Sequence, residues 1–356
     1  MTIRLGRGEA RRTKTQARQN ILQLSLTLPL KMSARMKFAI PLALLLSVQA
    51  AAAQTAALPP ADQVETVTSE APKTPLEKAI AGFVKSYATP TLSVGKIPKW
   101  ARGICPATVG LTAELNLGVT ALLRQVAARI GAPVAAKEPC DTNVTVIFTR
   151  TPQAVLDDMA KNHQALLGYH EVSQVKRIAT MSHPVQAWYA TATRDNNGVL
   201  IPDSAVHDPQ CESDIADLKE FPPMTPAWMV AYQNVYRHCG GVQVTGNRLN
   251  DGLRSEFGAA TIIVDVGKLG ELGIKPVANY VAMLALSQTQ TFEACQPLLS
   301  IVNVMTPGCD ESLKPDSLSE TDIAYLSALY KTNPDIMLAG QQSSIAHQME
   351  TALGGH

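Results

Sequence analysis

Thr261-Ile-Ile-Val-Asp-Val266 and, shortly after it, Pro276-Val-Ala-Asn-Tyr-Val-Ala-Met-Leu-Ala-Leu-Ser287 decide the fold class of this chain. The first is a β-branched apolar run bounded by glycine, the pattern of a buried strand. The second is apolar almost all round a helical circumference, so as a helix it must lie in a core. Working outward, Asn143–Thr149 and Val185–Thr193 are two further β-branched strands, the latter followed by a turn at Asp195-Asn-Asn-Gly198. Helical spacing of apolar residues predicts helices over Pro75–Tyr87, Leu111–Ile130 and Gln153–Leu167. Two more cover Ser319–Leu329, with Ser319 as N-cap and acids in its first turn, and Ser343–Leu353. Trp100–Val109 reads as irregular. This order predicts one α+β domain over residues 75–356, with helices packed on one face of a mixed sheet.

Residues 198–226 interrupt that order with five prolines and an acidic cluster, Asp208, Glu212, Asp214, Asp217 and Glu220. They predict a surface insertion over 198–239. No calcium-loop spacing is present, so the acids read as a solvated face.

The whole chain has 356 residues, 46% hydrophobic and 17% charged, with a mean hydropathy near zero. That excludes a multi-span membrane protein and a disordered polyelectrolyte. Aromatic residues at 5% argue against stacking platforms for sugars or single-stranded nucleic acid.

The net charge of +1 conceals a division. Residues 1–53 carry nine basic side chains against Glu9, and residues 54–356 carry 22 basic and 29 acidic ones, a net of −7. Within the basic part, Arg35 and Lys37 precede the apolar run Phe38–Val48, and Ala51-Ala-Ala53 supplies small residues before Gln54. This is the pattern of a cleaved export signal, too short to span a bilayer. The unpatterned stretch ahead of it suggests that translation starts at Met32 or Met36. Residues 54–74, rich in Ala, Pro, Thr and Glu, read as a disordered linker. The expected location is periplasmic or secreted, with no membrane span after signal removal. A net of −7 also disfavours nucleic acid and anionic membrane surfaces as partners.

All six cysteines lie in the exported part: Cys105, Cys140, Cys211, Cys239, Cys295 and Cys309. An even number in an oxidising compartment reads as disulfides. Six cysteines allow 15 connectivities; sequential pairing is the simplest, with Cys105–Cys140 bracing a helix, Cys211–Cys239 closing the insertion and Cys295–Cys309 pinning a short loop. No CxxC pair supports zinc.

The C-terminal third resembles a known family. Leu318-Ser-Glu-Thr-Asp-Ile-Ala-Tyr-Leu-Ser-Ala-Leu-Tyr330 is similar to the last helix of matrixin-type metzincin metallopeptidases, and Met305-Thr306-Pro307 resembles their Met-turn. The helix over Val277–Leu286 stands where that family carries HExxHxxGxxH. The resemblance implies a zincin-like core. Setting Ala285 at the family's glycine puts Ala278 and Ala282 at the first two zinc histidines, Asn279 at the glutamate and Gln288 at the third histidine. None of these side chains can do the family's job: zinc hydrolysis needs imidazoles at i and i+4 and a carboxylate base. From Phe83 onward the chain also resembles uncharacterised exported proteins of alphaproteobacteria, which adds a shared fold and no activity.

Other chemistry is sparse. Ser93-Val-Gly-Lys96 and Ser173-Gln-Val-Lys176 match S-x-x-K without its companion motifs. His163 and His170 stand at i and i+7 with Glu171 adjacent, and Asp157 and Asp158 are neighbours whose side chains diverge on a helix. No GxSxG, Walker or GxGxxG pattern occurs. The expectation is an exported, non-catalytic binding or structural protein that needs no cofactor and acts on a protein or cell-envelope ligand. The alternative is a periplasmic hydrolase using non-zinc residues.

Overall fold

In the computed structural model, the described residues are 74–168, 172–203, 209–238, 250–289 and 294–354. In chain order they form α1 (Pro75–Tyr87), β1 (Pro106–Val109), α2 (Ala113–Arg129), β2 (Val144–Thr149), α3 (Pro152–Asn162), α4 (Val175–Ile178), β3 (Val185–Arg194), β4 (Leu200–Pro202), α5 (Pro209–Glu220), α6 (Pro226–His238), β5 (Arg254–Asp265), α7 (Ile274–Leu286), α8 (Glu320–Lys331) and α9 (Leu338–Leu353). The protein is α+β, and its five strands make one mixed sheet in the order β1-β2-β5-β3-β4.

The predicted buried strand is the centre of that sheet. β5 pairs in parallel with β2, from Val144↔Ala260 to Thr149↔Asp265, and antiparallel with β3, from Val185↔Val264 to Arg194↔Arg254. β1 lies parallel to β2 at one edge. The segment read as irregular therefore contains a strand. Its four residues begin with Pro106, which an edge strand tolerates at its first position, and are too few to show alternation.

Helices cover both faces, which corrects the expectation of one. Ile262 and Val264 join the main core with α1, α2, α7, α8 and α9, whereas Ile263 points the other way, to Trp188, Leu156 and Met159 beneath α3. A strand apolar at every position needs cover on both sides.

α7 is buried from Val277 to Leu286, as its circumference demanded. A helix that ends inside a core must satisfy its last four carbonyls. Ser287 serves Met283 O through its N–H (3.1 Å) and hydroxyl (2.9 Å). The Tyr189 hydroxyl is shared between Leu284 O (2.8 Å) and Ser287 O (3.2 Å). Trp100 Nε1 donates to Ala285 O (2.8 Å) and the Tyr330 hydroxyl to Leu286 O (3.0 Å). Four of the chain's few large polar-tipped side chains and hydroxyls thus close one helix end.

α8 starts as predicted: Ser319 caps it, and Asp322 completes a capping box. The Asp322 carboxylate also reaches beyond its own helix. It accepts from the Ser319 N–H (2.8 Å), the Ile301 N–H (2.9 Å) and the Ser300 hydroxyl. The helix start is thereby fastened to the short 3-10 helix Ile301–Met305 that follows α7.

Two disulfides join Cys105 to Cys140 and Cys295 to Cys309, with sequence separations of 35 and 14. By loop length they are worth about 4 and 3 kcal/mol against the unfolded chain. Both agree with sequential pairing; Cys239, and with it the pairing to Cys211, lies outside the described residues. The insertion is more ordered than its composition suggested, since it holds β4 and the helices α5 and α6. Pro209 and Pro226 stand at the first positions of those helices, where the missing N–H is harmless.

A cluster of ions fastens the start of β5 to the end of α8. Lys96 Nζ, itself buried, donates to Asp251 Oδ1 (2.9 Å), Asp335 O (2.6 Å) and Ile336 O (3.0 Å). Lys99 Nζ donates to Thr332 O (2.6 Å) and Tyr330 O (3.2 Å), and Arg194 forks onto Glu256 (2.5 and 2.9 Å). Burial lowers the Lys99 ammonium to about 8, Asp335 pulling it up and Arg254 down. An unfolded lysine titrates near about 10.4. Between those values the unfolded chain holds more protons, so stability must rise with pH. From pH 7.5 to 9.5 denaturant unfolding should show a gain on the order of 1 kcal/mol, after discounting for partial exposure. The Lys99→Met variant should show none; a fall over this range would contradict the assignment.

Candidate functional site

The positions aligned with a zinc site lie in two different environments. Ala278 and Ala282 are buried in the main core, where their methyl groups pack among apolar side chains. Asn279 is buried too, and its amide is committed: Nδ2 donates to Lys275 O (2.9 Å) and Oδ1 accepts from Leu318 N (3.2 Å), tying α7 to the approach of α8. Only Gln288, just past the end of α7, borders a cavity. A zinc ion needs three or four lone-pair donors, and two alanines and two carboxamides do not fit it. Among the described residues no group of three His, Cys, Asp or Glu side chains converges on a point. Met305 ends the 3-10 helix, half-buried against the main core, and Pro307 is exposed.

The other sequence candidates do not assemble either. The Lys96 ammonium spends its three protons on Asp251, Asp335 and Ile336, so it is no base for Ser93, which is exposed and lies 3.5 Å from the Thr193 hydroxyl. Lys176 is exposed on α4. His163 is exposed, with Asp158 at 3.9 Å, and His170 and Glu171 lie outside the described residues. Asp157 and Asp158 each accept from a side chain one helical turn away, on the solvent face of α3.

Instead, the structure brings together a site with no motif. A cavity of about 380 Å³ runs beside β3, walled by Thr89–Leu92, by Leu167-Gly168 with Ile178, and by Gln288-Thr289. β4 pairs with β3 only at Ala192, Thr193 and Arg194, so among the described residues no strand lies beside the rest of that edge. The direction of its backbone follows from the ladder. Asp265 N donates to Pro184 O (2.8 Å), which makes Gln186 and Trp188 the residues bonded to β5 and turns the N–H and C=O of Val185, Ala187 and Tyr189 outward. Among the described residues nothing hydrogen-bonds the backbone of Val185 or Ala187 on that side.

The walls are specific in what they omit. None of the described lining residues is charged; they are mostly threonines, glutamines and apolar side chains. Gln288 Oε1 is buried there and has no hydrogen-bond partner among the described residues. Trp188 and Tyr189 commit their polar tips elsewhere, to Ile178 O (2.8 Å) and the end of α7. Gly168, with φ +81°, closes one end, where a Cβ would come 2.3 Å from Tyr189 O. Sequence reasoning missed this site because an unpaired strand edge is a property of the sheet order. The bare alternation of Val185–Thr193 carried no sign of which side would be left open.

No protein-family model, curated protein or solved structure matches the chain. Its chemistry therefore rests on these residues alone. Among the described residues, no helix is long and apolar enough to cross a membrane.

Proposed function

We propose that this is an exported, non-catalytic binding protein of the cell envelope, built on a degenerate metzincin-like core, which takes an extended, uncharged peptide segment as an added strand along β3. The observation that carries the reading is the outward-facing backbone of Ala187, which borders a cavity whose described walls hold no charged residue. Strand addition draws its affinity from main-chain hydrogen bonds and its selectivity from pockets for alternate side chains. Here the outward N–H and C=O of Ala187 would supply the first, and the threonine- and glutamine-lined walls the second. A charged side chain entering such a cavity would leave its hydration without gaining a counter-ion.

The metzincin-like part of the reading is supported by the order of elements: β5, then α7, then Met305, then α8 with its Ser319 cap. Export is supported by the leader and by the disulfide pairs.

The test is a single backbone atom. Ala187→Pro removes an N–H that the ladder to β5 does not use, and edge strands accept proline. Peptides selected from a random 12-residue display library on the wild-type protein should bind the variant at least tenfold more weakly by calorimetry, while its melting temperature stays within a few degrees. If no peptide is selected, or if selected peptides bind both proteins alike, the reading fails.

A further inference from the structure

A second surface, remote from any motif, lies on the helical hairpin of the insertion. α5 and α6 pack against each other and are joined by the turn Phe221–Thr225. From Phe221 to Tyr236 the sequence holds no charged residue, whereas α5 behind it carries Glu212, Asp214, Asp217, Lys219 and Glu220. The turn and the first half of α6 are not buried. Met224 is 80% exposed and Val230 60%, and Phe221, Met229 and Tyr232 are exposed beside them. Met224 also has φ +66°, a left-handed conformation unfavourable for a residue with a Cβ, and it stands at the apex of the turn.

Part of the backbone of this apex is provided for internally. Pro222, Pro223 and Pro226 have no N–H to satisfy. The Thr225 hydroxyl donates to Pro222 O (2.8 Å) and accepts from Trp228 N (3.2 Å), while Thr225 N reaches Pro222 O (3.4 Å) and Met229 N reaches Thr225 O (2.9 Å). Each of these bonds lowers the cost of moving the turn into an apolar medium. Trp228 and Tyr232 stack at 5.1 Å on the shoulder of the tip, amphipathic rings of the kind that settle at a headgroup boundary.

We propose that the α5–α6 tip inserts into the headgroup–acyl boundary of a net-neutral lipid bilayer, making this a peripheral membrane protein. The tip carries no charge of its own, so moving it into an apolar medium strips no ion of its hydration. An anionic bilayer would face the acids of α5 and the net negative charge of residues 54–356.

The full chain should float with phosphatidylcholine vesicles in a density gradient, and Met224→Asp/Val230→Asp should lower the floated fraction at least tenfold. Leu117→Asp, at an equally exposed apolar position on α2, should float like wild type. Dibrominated phosphatidylcholine should quench tryptophan emission in wild type and far less in Trp228→Phe, because Trp100 and Trp188 are buried. The proposal is overturned if the wild type does not float, floats only with phosphatidylglycerol, or floats equally well after the double substitution. It is also overturned if the double substitution converts a wild-type dimer into a monomer, which would make the tip a contact between copies.

Discussion

A histidine placed at Ala282 is expected to destabilise the protein by roughly 3–5 kcal/mol and to bind no zinc. Ala282 is fully buried in the main core on α7. An imidazole there adds five ring atoms to a packed interior, and overpacking of this kind costs about 1–3 kcal/mol. Its ring nitrogens would also lose water without gaining partners, which adds a further ~1–3 kcal/mol. Rebuilding the HExxH part of the motif with Ala278→His, Asn279→Glu and Ala282→His should do more damage, because it also cuts the amide link from Asn279 to Lys275 O and Leu318 N. Thermal melting and elemental analysis of the purified variants decide the matter. A triple variant that melts like wild type and holds one zinc per chain would show that this helix face is still an open metal site.

Asp322→Ala should cost about 3–5 kcal/mol, although its side chain touches no cavity. Three donors converge on the carboxylate from two segments; Ser300 and Ile301 are fully buried and Ser319 is half-buried. Removing the acceptor orphans two backbone N–H groups and one hydroxyl at once, each worth about 1–3 kcal/mol if water cannot reach it. Desolvation holds the carboxyl above the ordinary carboxylate range, against the pull of those donors. The Asn variant keeps one acceptor oxygen and should lose about half as much. For a protein of this size the Ala variant should melt roughly 10 °C lower. A shift within 2 °C would mean that the 3-10 helix Ile301–Met305 is positioned by something else.

Much of the framework was legible in the sequence because local rules decided it. The strand Thr261–Val266 and the helix after it announced themselves by composition, and Ser319 with Asp322 marked a helix start by capping chemistry. Sequential cysteine pairing succeeded for Cys105–Cys140 and Cys295–Cys309, since short loops close most readily. Local rules failed where partners were distant. Pro106–Val109 is a strand only because β2 lies beside it, and the insertion read only as a surface stretch with an acidic face holds two helices. The second apolar layer under α3 was implied by the unbroken run Ile262-Ile263-Val264, yet its members come from Leu156, Met159 and Trp188, far apart in the chain.

The candidate site shows the same division. Sequence alone denied Ala278 and Ala282 a lone pair and Asn279 the charge of a base, because lone pairs and charge belong to residue types and not to folds. It also placed the few aromatic residues without showing that Trp100, Tyr189 and Tyr330 would close the end of α7. Only the tertiary structure decided that Ala278 and Ala282 are packed over, that Gln288 faces a cavity, and that β3 keeps an open edge there. Side-chain chemistry is written residue by residue, whereas an unpaired backbone edge exists only once every other strand has taken its neighbour.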